Sequence, residues 1–338
     1  MESLLVQDIG ESGLLQKIHS FCAAKTVGDD GAVLPTKATH QLVVTTDVLV
    51  DQVHFSDRTT TAFDVGWRSV AANLSDLAAM GAFPIGITVG LSLPGTTPVA
   101  WIEELYQGFT SCLQQFDTPI VGGDVTRSQV ITIAITALGE VLPQQVITRF
   151  AAQPGDAIVV TGYHGLSRAG LELLLNPQIG ETLTSQEKAI LIKAHQRPQP
   201  RLDAIAKLRQ IAPDALVTGM DSSDGLGDAI SQICRCSQVG AVISSQSLPQ
   251  CSILEKLSPS NSVEQWIFNG GEDFELILCM SPQLAQEFLP SLGNCAAIIG
   301  QIIAEPQIIF EGFSHKIKHD LASLNGGFQH FKVSHNIQ

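Results

Sequence analysis

Six acidic motifs carry most of the chemical information in this chain. They are Gly28-Asp29-Asp30, Thr45-Thr46-Asp47, Asn73-Leu74-Ser75-Asp76, Gly122-Gly123-Asp124, Asp221-Ser222-Ser223-Asp224 and Gly270-Gly271-Glu272-Asp273, each placed at the end of an apolar run. Carboxylates gathered at one place repel each other unless cations hold them. Few Lys or Arg stand beside these motifs, so the implied cations are metal ions. Carboxylates, hydroxyls and backbone oxygens suit hard Mg²⁺, which keeps waters and phosphate oxygens in its shell. The residue types therefore point to chemistry on a nucleotide triphosphate.

Taken singly, the motifs leave alternatives open. Gly28-Asp29-Asp30 reads as a turn. Thr45-Thr46-Asp47 favours function, because its acid ends an apolar strand beside further hard oxygens. Asp76 lies inside an apolar helix, where Ser75, a helix N-terminus or a metal would each satisfy it. Gly123 before Asp124 permits a close approach to the backbone, or simply a strand-to-loop turn. Asp221 and Asp224 can face one cavity, or Asp224 can cap the helix that follows. Glu272, Asp273 and Glu275 form an acidic cluster whose strongly apolar flanks favour a site over a solvated turn.

The elements that must position these motifs alternate along the chain. Gln41 to Val50 is a strand delivering Asp47. Ala62 to Met80 is a helix with Val65, Val70, Leu74 and Leu77 near one face, ended by Gly81. Pro84 to Leu93 and Val130 to Val141 alternate as strands, and Val99 to Phe116 repeats as an amphipathic helix. The pattern breaks near Leu142 to Asp156, at Pro143, Pro154 and Gly155. A second α/β unit begins with the strand from Ala157 to Thr161. It continues with helices at Ser167 to Leu175, Pro200 to Ile211 and Gly225 to Cys234. Its further strands are Leu216 to Met220, Glu275 to Met280, Ala296 to Ile303 and Gln307 to Phe310.

With 338 residues the chain exceeds one comfortable core, so two domains are expected, 1–142 and 143–338. Hydrophobic residues at 44% against 15% charged describe a well-buried globular protein. A formal charge of −14 excludes general nucleic-acid binding, but not a nucleotide ligand reached through metals. The seven cysteines form no Cys-x-x-Cys pair and read as thiols of a reducing cytosol. No signal peptide and no membrane-spanning run is visible, so a cytoplasmic location without a membrane partner is expected.

In order and in wording, the motifs resemble the thiamine-monophosphate kinase family of the aminoimidazole-ribonucleotide-synthase-like superfamily. The most specific segment is Asn73-Leu74-Ser75-Asp76-Leu77-Ala78-Ala79-Met80-Gly81-Ala82. It is accompanied by Thr45-Thr46-Asp47 with His54-Phe55, Gly122-Gly123-Asp124, Arg149 before Pro154-Gly155-Asp156, the stretch His195 to Arg201, Ser223-Asp224-Gly225-Leu226 and Gly270-Gly271-Glu272-Asp273. The resemblance implies a two-domain α/β fold. Its N-terminal sheet forms a barrel with that of a second copy, and a C-terminal α/β domain completes the site. It implies transfer of a phosphoryl group from ATP to thiamine monophosphate, with several Mg²⁺ ions, in a homodimer. Asp30, Thr45, Thr46, Asp47, Asp76, Asp124, Asp221 and Asp224 would surround the metals. Gly123, Asp124, Arg149 and Ser223 would contact ATP, and His54, Glu272 and Phe328 would line the acceptor pocket. Two positions depart from the family: Phe274 stands where Tyr is frequent, and Phe328 where Trp or Tyr is common, so the polar handle is lost at both.

Such a transfer asks for positioning and charge neutralisation rather than a strong base. No Ser-His-Asp or Cys-His set is evident, and no Gly-x-x-x-x-Gly-Lys-Ser/Thr loop. The rivals are another ATP-using enzyme of the superfamily and a metal-dependent nucleotide sensor without turnover. Cys22 and Lys25 faintly match selenophosphate synthetase, but without its Gly-rich setting. The ending His335-Asn336-Ile337-Gln338 lacks the terminal Cys of the hydrogenase-maturation relative.

Overall fold

The computed structural model describes residues 4–22, 34, 36–257 and 260–313. Lys25, Gly28-Asp29-Asp30 and Phe328 lie outside the described residues. The chain folds as a mixed α/β protein around two sheets. In the first, β1 (Gln41–Val50), β2 (Phe83–Leu93), β3 (Ile120–Arg127) and β4 (Thr132–Val141) stand in the order β1-β4-β2-β3. β4 runs antiparallel to both neighbours, and β2 pairs in parallel with β3.

The second sheet contains β5 (Ala157–Val160), β6 (Thr218–Asp221), β7 (Gly240–Ser244), β8 (Leu276–Met280), β9 (Ala297–Ile303) and β10 (Ile308–Glu311). Their order is β10-β7-β9-β5-β8-β6, antiparallel except for β10 with β7. Every residue of β5, β6 and β8 is buried. That explains why β5 and β8 read as continuous apolar runs rather than alternating ones, since both of their faces are covered.

The helix Ala62–Ala79 joins the two sheets. Thr61 caps it, accepting the Asp64 backbone N–H at 3.2 Å. Residues on every side of it are buried. It packs on the helix Val99–Leu113 at glycine contacts: a Cβ at Gly66 would lie 2.1 Å from the Leu105 carbonyl oxygen, and one at Gly108 would lie 2.0 Å from that of Phe63. One continuous apolar cluster runs from Leu74, Leu77 and Ile135 of the first half to Ile205, Leu208, Leu278 and Phe288 of the second. Another cluster, with Ile158, Val160, Met220 and Ile230, fills the other face of the second sheet. The site motifs therefore sit on a shared frame.

Candidate active site

Period-two alternation sorts Thr45-Thr46-Asp47 on β1. Thr45, Asp47 and Leu49 face the helix Ala62–Ala79, while Leu42, Val44, Thr46 and Val48 face outward and are exposed. The Asp47 backbone N–H donates to Asn73 Oδ1 at 3.1 Å, and buried Asn73 donates to the Ser69 carbonyl at 2.9 Å. The Thr45 hydroxyl donates to Asp76 Oδ2. Ser75 Oγ donates to Asp221 Oδ2 at 2.7 Å, tying the helix to the end of β6.

The turns Asp221-Ser222-Ser223-Asp224 and Gly270-Gly271-Glu272-Asp273 lie backbone against backbone. The Glu272 N–H donates to the Ser223 carbonyl at 2.8 Å. A Cβ at Gly271 would stand 2.4 Å from that same oxygen, so the close approach requires glycine. Glu272 and Phe274 take left-handed backbone angles, φ 68° and 52°, a strain of the kind that collects at functional sites.

Asp47, Asp76, Asp221, Ser223, Asp224, His54 and Glu272 line one cavity of about 1090 Å³, together with Arg68, Arg168, His195 and the apolar Phe55, Leu171 and Phe274. Burial, then Asp76 and Asp224, pushes the Asp47 carboxyl up to about 6. Asp221, only 2% exposed, is pushed up to about 7 by burial, with Asp76 and Asp47 adding and the Ser75 hydroxyl and Arg149 opposing. Burial also raises Asp76, against the Thr45 hydroxyl and Arg149. Among the described residues, no ion pair involves Asp47, Asp76 or Asp221. Buried hard oxygens that raise one another's pKa fit divalent cations. Among the described residues, no three His, Cys, Asp or Glu side chains are already closed into a metal-holding group. The acids surround the cavity instead, which suits Mg²⁺ held by a few carboxylates plus phosphate oxygens and waters.

Other expected residues sit elsewhere. Arg149 acts electrostatically on Asp76 and Asp221 and donates to Gln232 Oε1 at 2.6 Å. The Thr46 hydroxyl pairs with that of Thr136 at 2.8 Å on the outer face. Gly123 and Asp124 belong to β3, at the opposite edge of the sheet from β1, and do not line the cavity. Asp224 stands one residue before the cap of the helix Leu226–Ser237, which is Gly225 without a side-chain bond. The expected acidic cluster at 272–275 disperses. Only Glu272 reaches the cavity. Asp273 accepts the backbone N–H groups of Gly165 and Ser167 at 2.6 and 2.8 Å, at the start of the helix Leu166–Leu175. Glu275 pairs with Arg201 at 2.5 Å. Arg68 and His195 were not singled out as site residues from the sequence, although Arg68, Ala72 and Asp76 recur at four-residue spacing and all line the cavity.

The AIR synthase related protein N-terminal domain matches residues 28–141, and the corresponding C-terminal domain matches residues 153–312. A thiamine-monophosphate kinase of Synechococcus elongatus is 48% identical over 335 residues, covering 98% of this chain and 99% of its own. The thiamine-monophosphate kinase structure from Stenotrophomonas maltophilia K279a superposes with TM-score 0.78 at 33% identity, over 88% of this chain and 96% of that one. A structure of AaThiL complexed with AMPPCP and TMP gives TM-score 0.74 at 28% identity, over 98% of this chain and all of that one (100%). With a full-length relative at that identity and both domains matched in order around the convergent acids, the chain belongs to the thiamine-monophosphate kinase family of AIR-synthase-related proteins.

Proposed function

We propose that the chain transfers the γ-phosphoryl group of ATP to thiamine monophosphate, giving thiamine diphosphate and ADP. The observation that carries this reading is the convergence of Asp47, Asp76, Asp221 and Asp224, from both sheets and the helix between them, on one cavity. Its volume of about 1090 Å³ exceeds what one small ligand needs and suits two phosphorylated substrates together.

The acceptor phosphate has a second pKa of about 6, so it is largely dianionic at neutral pH and needs no strong base. The task is to bring two polyanions together in line. Asp47, Asp76, Asp221 and Asp224, with Thr45 supporting Asp76, would hold Mg²⁺ ions. Bound there, such ions neutralise phosphate charge and orient the two substrates. Arg149 and Ser223 serve the nucleotide side, His54 and Glu272 the acceptor side. Phe55 and Phe274 give the same cavity an apolar wall.

The same reading makes the protein a homodimer. Among the described residues β1 and β3 are the edges of the first sheet, and Leu42, Val44 and Val48 are 54%, 56% and 46% exposed on one face of β1. Closure of two such sheets into a barrel covers that face and gives Thr46, Gly123 and Asp124 a place near a nucleotide. All seven cysteines are free thiols, in keeping with a reducing cytoplasm, and no described helix is long and apolar enough to cross a membrane. Product analysis tests the reading. ADP and thiamine diphosphate should form with ATP, thiamine monophosphate and Mg²⁺, and excess chelator should stop both. ATP binding without either product would support a sensor instead.

A further inference from the structure

The acidic motifs leave one part of the cavity wall unexplained. Arg68 projects from the same helix as Asp76 and is only 2% exposed, yet it lines the cavity. Burying a guanidinium is expensive, and an apolar side chain would fill the space at lower cost. Its Nη2 donates to Glu272 Oε1 at 2.5 Å. Its Nη1 lies 3.0 Å from His195 Nε2. Guanidinium has no acceptor, so the imidazole must accept at Nε2 and carry its proton on Nδ1. That Nδ1 stands 3.3 Å from Ser167 Oγ. Burial, with Arg68 and Arg168 beside it, keeps His195 neutral, far below the usual histidine range at about 2.

The chain of contacts closes on itself. The Ser167 backbone N–H holds Asp273 at 2.8 Å, and Asp273 is bonded in sequence to Glu272. Glu272 thus stands on a left-handed backbone, fixed from below by Asp273 and from the side by Arg68. A side chain this thoroughly oriented, at the mouth of a cavity, is arranged for recognition.

We propose that Arg68, His195 and Ser167 are positioning residues for the phosphoryl acceptor: they fix one oxygen of Glu272 so that the other accepts a hydrogen bond from the amino-bearing heterocycle of that acceptor. The proposal rests on the functional reading above, which puts Glu272 on the acceptor side. None of the three acts on the transferred phosphoryl group.

The test is steady-state kinetics with ATP and thiamine monophosphate varied separately. Arg68→Gln is expected to raise the acceptor KM by about 10- to 100-fold, the loss of one charge-assisted hydrogen bond. The KM for ATP should stay within about twofold. Arg68→Gln combined with Glu272→Gln should be no worse than Glu272→Gln alone, because both remove one contact. His195→Leu should raise the acceptor KM, whereas His195→Gln should recover most of it, since an amide can accept from Arg68 and donate to Ser167. The His195 pair carries the test if Arg68→Gln fails to fold. Equal rises in both KM values, full additivity of the double variant, or no difference between His195→Leu and His195→Gln would overturn the relay. A wild-type protein that makes no thiamine diphosphate would overturn the kinase reading, and the relay with it. Turnover by wild type with unaffected variants would overturn the relay alone.

Discussion

Replacing Asp221 with asparagine separates the cost of the site from its use. Asp221 is 2% exposed and its carboxyl is pushed up to about 7, against about 3.9 in an unfolded chain. The folded state therefore holds this proton more tightly than the unfolded one. Its stabilising effect is complete below pH about 4 and is lost as pH rises through about 7. At pH 8, without divalent ions, the ionised carboxylate costs the fold at most about 4 kcal/mol, at 1.36 kcal/mol per pH unit. Asparagine keeps an oxygen for the Ser75 hydroxyl, 2.7 Å away, but weakens the longer contact from Ser223 at 3.4 Å. A net gain of about 1–3 kcal/mol is expected. With an unfolding entropy of roughly 2.1 cal/mol/K per residue, the 338-residue chain should gain about 1–4 °C in Tm. Scanning calorimetry in chelator at pH 8 and pH 5 measures this. The difference between variant and wild type should shrink toward zero at the lower pH, while turnover in Mg²⁺ falls at least about 100-fold. A variant that melts lower at pH 8, or by the same margin at both pH values, would refute the electrostatic account of Asp221.

Asp47→Asn should likewise cut turnover by about 10²–10³-fold, with no loss of urea stability, since its carboxyl too is raised by burial and neighbouring acids; parallel losses in both would count against a metal role. Mg²⁺ should raise the wild-type Tm in the presence of a non-hydrolysable ATP analogue by mass action, and raise that of Asp47→Asn much less. Gly66→Ala should destabilise by about 2–4 kcal/mol, because its Cβ would lie 2.1 Å from the Leu105 oxygen; an unchanged urea midpoint would contradict the packing described. Gly271→Ala should reduce turnover more than Gly66→Ala for a similar stability loss, since it separates the two acidic turns.

Much of the fold was legible from local pattern. The strand from Gln41 to Val50 has the expected limits, and the helix expected over Ala62 to Met80 ends one residue sooner, at Ala79. The one-face reading of that helix understated it. It is buried over most of its surface between two layers, and half-buried Asp76 opens onto the cavity beside Ala72 rather than onto a polar face. β3 was hidden by Gly122-Gly123, which reads locally as a turn and becomes a strand only by pairing with β2. The helices Ser185–Gln196 and Pro282–Leu292 and the strand β7 carried patterns too weak or too short to stand out. The acids of the cavity were legible as types, whereas their convergence depends on the Ser75–Asp221 and Glu272–Ser223 contacts, which join residues 146 and 49 positions apart. No local signal encodes such pairings. Asp273 and Glu275 illustrate the converse: adjacent acids were read as one cluster, and backbone angles at 272 and 274 turned them to different partners.

The most direct measurement is a count of bound Mn²⁺ by electron paramagnetic resonance, with protein, a non-hydrolysable ATP analogue and thiamine monophosphate together. If carboxylates from both sheets hold divalent ions between donor and acceptor, wild type should bind more than one ion per chain, and Asp47→Asn and Asp221→Asn should each lose at least one. The same stoichiometry in all three proteins would contradict it.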